Sequence, residues 1–256
     1  MLPRALAAAV GVLLASAVMA SPTNAAGLTA ALKAYHRRDF ASALKLAEPL
    51  AKKGAPHAEM LMGMINFVGP EGGLRSNLGE AARWFSAARD HQDAEAAFAY
   101  AVVLDMGGAR PDDLADAMRR AAELGSPAAR KRMAVMYMTG AGEKIAKDDV
   151  AAARWLTESA NDGYVPARYL LGQCYQRGRL FPADPVSADL WLRLAANAPV
   201  LNPIDEPLSM SKWWPSREAD AARKSLEALE KGMTPAQIAE GRKRAREYIA
   251  VRKKKT

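Results

Sequence analysis

AARWLTESANDGYVPARYLLGQCYQRG, running from Ala152 to Gly178, is the stretch that decides how this chain is built. Ala152, Trp155, Leu156, Ser159 and Ala160 recur at three- and four-residue steps and form one face of a first helix. Ala167, Leu170, Leu171, Cys174 and Tyr175 do the same for a second. Gly163 and Gly178 suit the left-handed position that ends each helix, where a side chain would be strained. With Trp155 as origin, Gly163 stands at +8, Ala167 at +12, Gly172 at +17, Tyr175 at +20 and Gly178 at +23.

The same frame recurs along the chain. From Trp84 it reads Gln92, Ala96, Ala101, Leu104 and Gly107; from Ala117, Gly125, Ala129, Ala134, Tyr137 and Gly140. From Leu46 it reads Gly54, Ala58, Gly63, Asn66 and Gly69, and Trp191 opens a fifth copy that breaks after Ala196. The origins 46, 84, 117, 155 and 191 are spaced by 38, 33, 38 and 36 residues. A drifting period with fixed internal offsets marks a helical solenoid. Neither helix of a pair can bury its apolar face alone, so copies must stack. Trp84, Trp155 and Trp191, with Tyr137, Gly172 and Tyr175, are therefore expected to be packing residues. The small residues at +17 are expected where helices cross closely.

These residues carry a resemblance to the Sel1-like repeat proteins, relatives of the tetratricopeptide solenoids. The run Ala152, Ala153, Trp155, Ser159, Ala160, Gly163, Leu171, Gly172, Tyr175 and Gly178 is its fullest form, and Ala81, Ala82, Trp84, Ala87 and Ala88 repeat the first part. Gln92, Ala117, Leu46 and Asn66 depart from the pattern at single positions. The resemblance implies an all-α fold, an α/α superhelical solenoid of helix pairs, and a role in protein–protein interaction without catalysis. It also implies that first helices line a concave side.

Half of the 256 residues are apolar, much of this alanine, which suits closely packed helices. Arg4 precedes an apolar, Ala-rich run from Ala5 to Ala20, with small residues at Val18 and Ala20 and at Thr23 and Ala25. This reads as a secretory signal peptide over residues 1–25, cleaved after about 20 or 25. A retained membrane helix is the alternative, but the run is shorter than the roughly 20 residues a span needs. Removing residues 1–25 takes away one basic residue, so the net charge falls from +8 to +7. The expected place is the periplasm of a Gram-negative bacterium, or outside the cell. The single Cys174 can form no intramolecular disulfide and falls in the core pattern of its helix.

In chain order, the solenoid is expected over residues 26–196, with copies near 41–77, 78–111, 112–148 and 149–184 and a partial one from 185. A short helix over Leu28 to Arg37 caps its start. Residues 197–216, rich in proline and carrying Trp213-Trp214, break the pattern. That Trp pair either covers the open end of the last repeat or contacts a ligand or partner. A displaced second half of the fifth copy and a capping helix follow over 217–250, the latter started by Thr234, Pro235 and Gln237. A basic tail closes the chain over 251–256.

No constellation points to catalysis. His36, His57 and His91 fall in different places without ligand spacing, and no G-x-S-x-G elbow occurs. Asp112-Asp113 and Asp148-Asp149 sit at helix starts, where capping explains them. The glycines of residues 69–79 lack the spacing and the Lys-Ser/Thr end of a phosphate-binding loop. No enzyme activity, metal or cofactor is expected. What remains is basic surface. Arg83 and Arg154 share the position before the Trp, and Arg119 and Arg193 the position two after the frame origin. On the concave side that the resemblance implies, they would form a ladder facing an acidic or C-terminal peptide. Arg242, Lys243, Arg244 and Arg246, then Arg252 to Lys255, are expected to favour an anionic envelope surface or cell-wall polymer; export argues against nucleic acid.

Overall fold

The computed structural model describes residues 22–68, 77–198 and 218–253. The leader-like run before Ser21, most of the Gly-rich connector and the Pro/Trp segment with Trp213 and Trp214 lie outside them. The described residues form helices joined by short turns, and the only extended pairing among them is an isolated bridge between Ala141 and Ile145. The fold class is all-α, made of consecutive helix pairs.

The described chain divides into two compact units, one over residues 22–126 and one over 127–198 and 218–253. In the first, α1 (Pro22–His36) packs on α2 (Phe40–Ala51), which pairs with α3 (Pro56–Val68). Next come α4 (Leu78–Asp90), α5 (Ala94–Met106) and α6 (Pro111–Glu123), each against its predecessor. In the second, α7 (Pro127–Thr139), α8 (Asp149–Asn161), α9 (Val165–Arg177) and α10 (Pro185–Ala196) stack in the same manner. The helix α11 (Glu218–Glu230) packs on α9 and α10, in the place of a second helix, and α12 (Pro235–Lys253) packs on α10. The opening helix starts six residues before the expected Leu28, at Pro22.

Packing follows the frame, with one shift. The position one after the Trp is buried more deeply than the Trp position itself: Ala47, Phe85, Leu156 and Leu192 have no exposure and Met118 only 1%. Trp155 and Trp191 are buried beside it at 8%, whereas Trp84 is half-buried at the rim of the cluster that encloses Phe85. Tyr137 and Tyr175 are also half-buried, the latter stacked on Phe181 at 4.7 Å between ring centroids. Against the +1 residue sits the small +17 residue of the preceding copy. A Cβ on Gly63 would stand 2.5 Å from two ring atoms of Phe85, and one on Gly172 would stand 2.8 Å from Cγ of Leu192. Close crossing at +17 is thus the reason that position holds no branched side chain.

The connections repeat too. Asn77, Asp148 and Asp184 each cap the helix that follows, their side-chain oxygens accepting from Glu80, Val150 and Val186 backbone N–H. Their own N–H groups donate backwards to the +20 carbonyls of Asn66, Tyr137 and Tyr175, at 3.3, 2.9 and 3.1 Å. One residue therefore satisfies orphan groups of two helices. Where the copies are only 33 residues apart, Ala109 N–H bonds Leu104 O instead, and Arg110 caps without a side-chain bond. Turn residues at +8 are left-handed in each case, at φ 78°, 106° and 93° for Gly54, Gly125 and Gly163. Gln92 adopts the same turn at φ 63°, a strain of about 1–2 kcal/mol for a residue with a Cβ. At the end of α5 the expected left-handed Gly107 is instead right-handed at φ −79°, and Gly108 turns the chain at φ 74°. Thr234 and Gln237 form the expected reciprocal cap of α12: Gln237 N–H donates to Thr234 Oγ1, and Thr234 N–H to Gln237 Oε1.

Candidate interaction surface

The residue before each Trp lies roughly 100° around the helix from it, so a buried Trp line leaves its neighbour outside. Arg83 and Arg154 occupy that position on α4 and α8, and both are exposed. Each guanidinium lies over the indole that follows it, 5.4 Å from the Trp84 ring centroid and 4.8 Å from that of Trp155. Arg83 also bonds Glu80 at 3.0 Å, an exposed pair of little energetic weight. Each unit thus presents one Arg–Trp platform on a first helix.

The other two expected arginines differ. Arg119, a third exposed, pairs with Asp116 at 3.1 Å on its own helix. Arg193 is turned inward. Its side chain is 18% exposed and grips Asp189, a carboxylate with no exposure, through two bonds of 3.0 and 2.7 Å. A third bond of 2.6 Å reaches Glu230 on α11, which Arg242 of α12 also touches at 3.4 Å. Burial lowers the affinity of Arg193 for its proton, but these carboxylates outweigh it and raise the pKa. Glu230 is held below the usual carboxylate range by the same hydrogen bond. Arg193 therefore fastens α10, α11 and α12 together, with its guanidinium turned inward among carboxylates. Asp189 lies four residues before it, a spacing visible in the sequence; Glu230 carried no such signal.

A second internal pair joins neighbouring copies. Glu59, 5% exposed in the first turn of α3, lies 3.2 Å from Nε2 of His91 at the end of α4. In the second unit the equivalent positions, again 32 residues apart, hold Arg130 and Asp162, which are hydrogen-bonded with the charges reversed. Burial holds the Glu59 carboxyl above the usual range; His91 pulls it partly back down and Asp90 pushes it up. Folded Glu59 therefore binds its proton more tightly than the unfolded chain does. Its share of stability is full below the ordinary value of 4.5 and is lost as pH rises through the raised one. Glu59→Gln keeps the neutral form at every pH, so its melting temperature should gain on that of the wild-type protein as pH rises from about 4 to 8. A difference independent of pH would remove this role of burial.

Of the remaining sequence candidates, His36 and His57 are exposed and stand apart from His91 in the sequence pattern. Among the described residues, no group of three or more His, Cys, Asp or Glu is placed to hold a metal ion, and no helix is long and apolar enough to cross a membrane. Cys174 is buried, which pushes its thiol pKa up. Trp213 and Trp214 lie outside the described residues.

Three segments match the family model of the Sel1 repeat, residues 56–93, 127–164 and 165–199. Each match takes a second helix with the first helix of the next pair, α3 with α4, α7 with α8 and α9 with α10. The fold is similar to that of c5321, a protective antigen of uropathogenic Escherichia coli with an SLR fold (TM-score 0.66, 21% identity, 82% of this chain and 41% of that one). This chain thus matches less than half the length of c5321. It is also similar to a Sel1 repeat protein from Oxalobacter formigenes (TM-score 0.58, 22% identity, 81% of this chain and 91% of that one). A third similar structure is the immunity protein Pa5087 from Pseudomonas aeruginosa (TM-score 0.50, 15% identity, 83% and 84%). The architecture is that of the Sel1-type α/α solenoid.

Proposed function

We propose that this protein is a non-catalytic, exported scaffold that binds a protein or peptide through the solenoid groove lined by its first helices. The carrying observation is the Arg–Trp platform at one frame position in each unit, Arg83 on Trp84 and Arg154 on Trp155. Stacking on the indole restricts the guanidinium while leaving its outer N–H groups for a ligand, which lowers the entropy lost on binding. An acidic segment or a C-terminal carboxylate is the matching chemistry. Arg119 is available after release of an exposed ion pair, and Arg193 takes no part. The Arg4-to-Ala20 leader pattern supports a periplasmic location, and cleavage after Ala20 would leave α1 whole. N-terminal sequencing of the protein from fractionated cells checks this.

The binding experiment is crosslinking and affinity capture of the exported protein from its own cells. Changing both Arg83 and Arg154 to Glu should reduce capture of the partner at least tenfold while leaving the melting temperature nearly unchanged. Capture at wild-type level by the folded double variant would end this reading. The basic residues of the C-terminal region support a second reading, association with peptidoglycan or control of a cell-wall-modifying enzyme. Loss of cell-wall pull-down on removing residues 251–256, with protein capture intact, would favour it.

A further inference from the structure

We propose that one side of α12 is a separate binding site for an acidic peptide segment carrying an aliphatic side chain. Pro235, Ile238, Ala239, Arg242 and Arg246 follow one another at helical spacing and line an open depression of about 440 Å³. Its floor is apolar at the start of the helix, and two guanidiniums one turn apart stand at the far end. Arg246 is exposed, and no described residue pairs with it. Arg242 reaches Glu230 at 3.4 Å, but that carboxylate's shorter bond, 2.6 Å, runs to Arg193. Arg242 can therefore turn to a ligand without leaving Glu230 unpaired.

The helix that presents these groups is firmly placed. Gly241 lies so close to α10 that a Cβ there would stand 2.3 Å from Oδ1 of Asp189. Ala245 is buried, and Tyr248 meets the Trp191 ring edge-on at 5.4 Å. Such preorganisation means that little freedom is lost when a ligand docks. Charge selects the occupant. Two guanidiniums, with Lys243 beside them, match carboxylates in paired hydrogen bonds, and the depression takes one aliphatic side chain between them. A flat anionic surface would leave that floor unfilled. The proposal is independent of the first-helix surface and of its arginines.

The full chain is titrated, by fluorescence anisotropy at physiological salt, with a labelled peptide of sequence Glu-Glu-Leu-Glu-Glu and with its Gln-for-Glu counterpart. Saturable binding of the acidic peptide is expected, at least about tenfold tighter than that of the neutral one. Arg242→Ala with Arg246→Ala should lose about the same factor, measured in the background of Arg83→Glu with Arg154→Glu, which removes any binding of the peptide to the first helices. Arg246→Ala alone breaks no hydrogen bond or ion pair among the described residues, so its weaker binding tests the site even if the double variant is unstable. Equal binding of the two peptides, or binding unmoved by Arg246→Ala, overturns the proposal. So does binding confined to phosphatidylglycerol vesicles, which would assign the helix to a lipid surface. Self-association abolished by the double variant, without peptide binding, would likewise replace the peptide with a second copy of the chain.

Discussion

Asp189→Ala should lower stability by about 3–5 kcal/mol, because it removes one partner of a buried ion pair and strands the other. Arg193 would keep Glu230 but lose both bonds to a carboxylate that has no contact with water. The damage should be local at first: α11 and α12 meet α10 through this residue cluster, so hydrogen exchange there should rise before exchange in α7 and α8. Replacing Asp189 and Arg193 together by Leu and Met should cost much less than Asp189→Ala, since no charge is then left unpaired. Urea melts of the three proteins check the order; a double variant as unstable as the single one would show that shape, not charge, holds the site. Glu230 adds an acid limb. Its depressed pKa contributes stability above the ordinary carboxylate value of 4.5, and this is lost as pH falls through the lower folded value.

Gly172→Leu is the second large effect, expected to cost about 3 kcal/mol or more by overpacking. Even a Cβ at this position would lie 2.8 and 2.9 Å from Leu192 side-chain atoms and 3.1 Å from its backbone N, which cannot turn aside. Gly172→Ala should be milder, since the better helix propensity of alanine returns about 1 kcal/mol of the clash. Coupling decides the origin. In Gly172→Ala with Leu192→Ala, the new methyl group enters space that the lost side chain leaves, so the double variant should cost less than the two single changes added together. Additive costs would mean that the two residues do not meet. Thermal or urea melting of the four proteins provides the cycle.

Both effects rest on contacts that the sequence revealed unequally. The period, the helix pairs, the left-handed turns at Gly54, Gly125 and Gly163 and the Thr234 cap are local, so spacing and residue type suffice to find them. The depth of the core was harder to read. Trp84 is conspicuous, but Phe85 beside it is the residue enclosed by Gly63, because a helical face is wider than one position and large rings are often left at its rim. Gly241 was legible only as a helix-weakening residue; its purpose is the approach to Asp189, fifty-two residues earlier. The basic surface is the least legible part of the sequence. Arg83, Arg119, Arg154 and Arg193 look alike in the frame, and only three-dimensional neighbours separate the exposed stacked pair from the one locked among carboxylates.

The reversed charges between copies bear on how a chain of look-alike modules finds its order. Glu59 meets His91, while the matching places downstream hold Arg130 and Asp162. If the helix carrying Glu59 docked on the one carrying Asp162, two acids would face each other, and Arg130 would face His91. A chain whose modules share one apolar pattern risks such out-of-order docking during folding. Opposite polarity at these two joints penalises that exchange, so part of the order of the modules is written in the joints themselves as well as along the backbone.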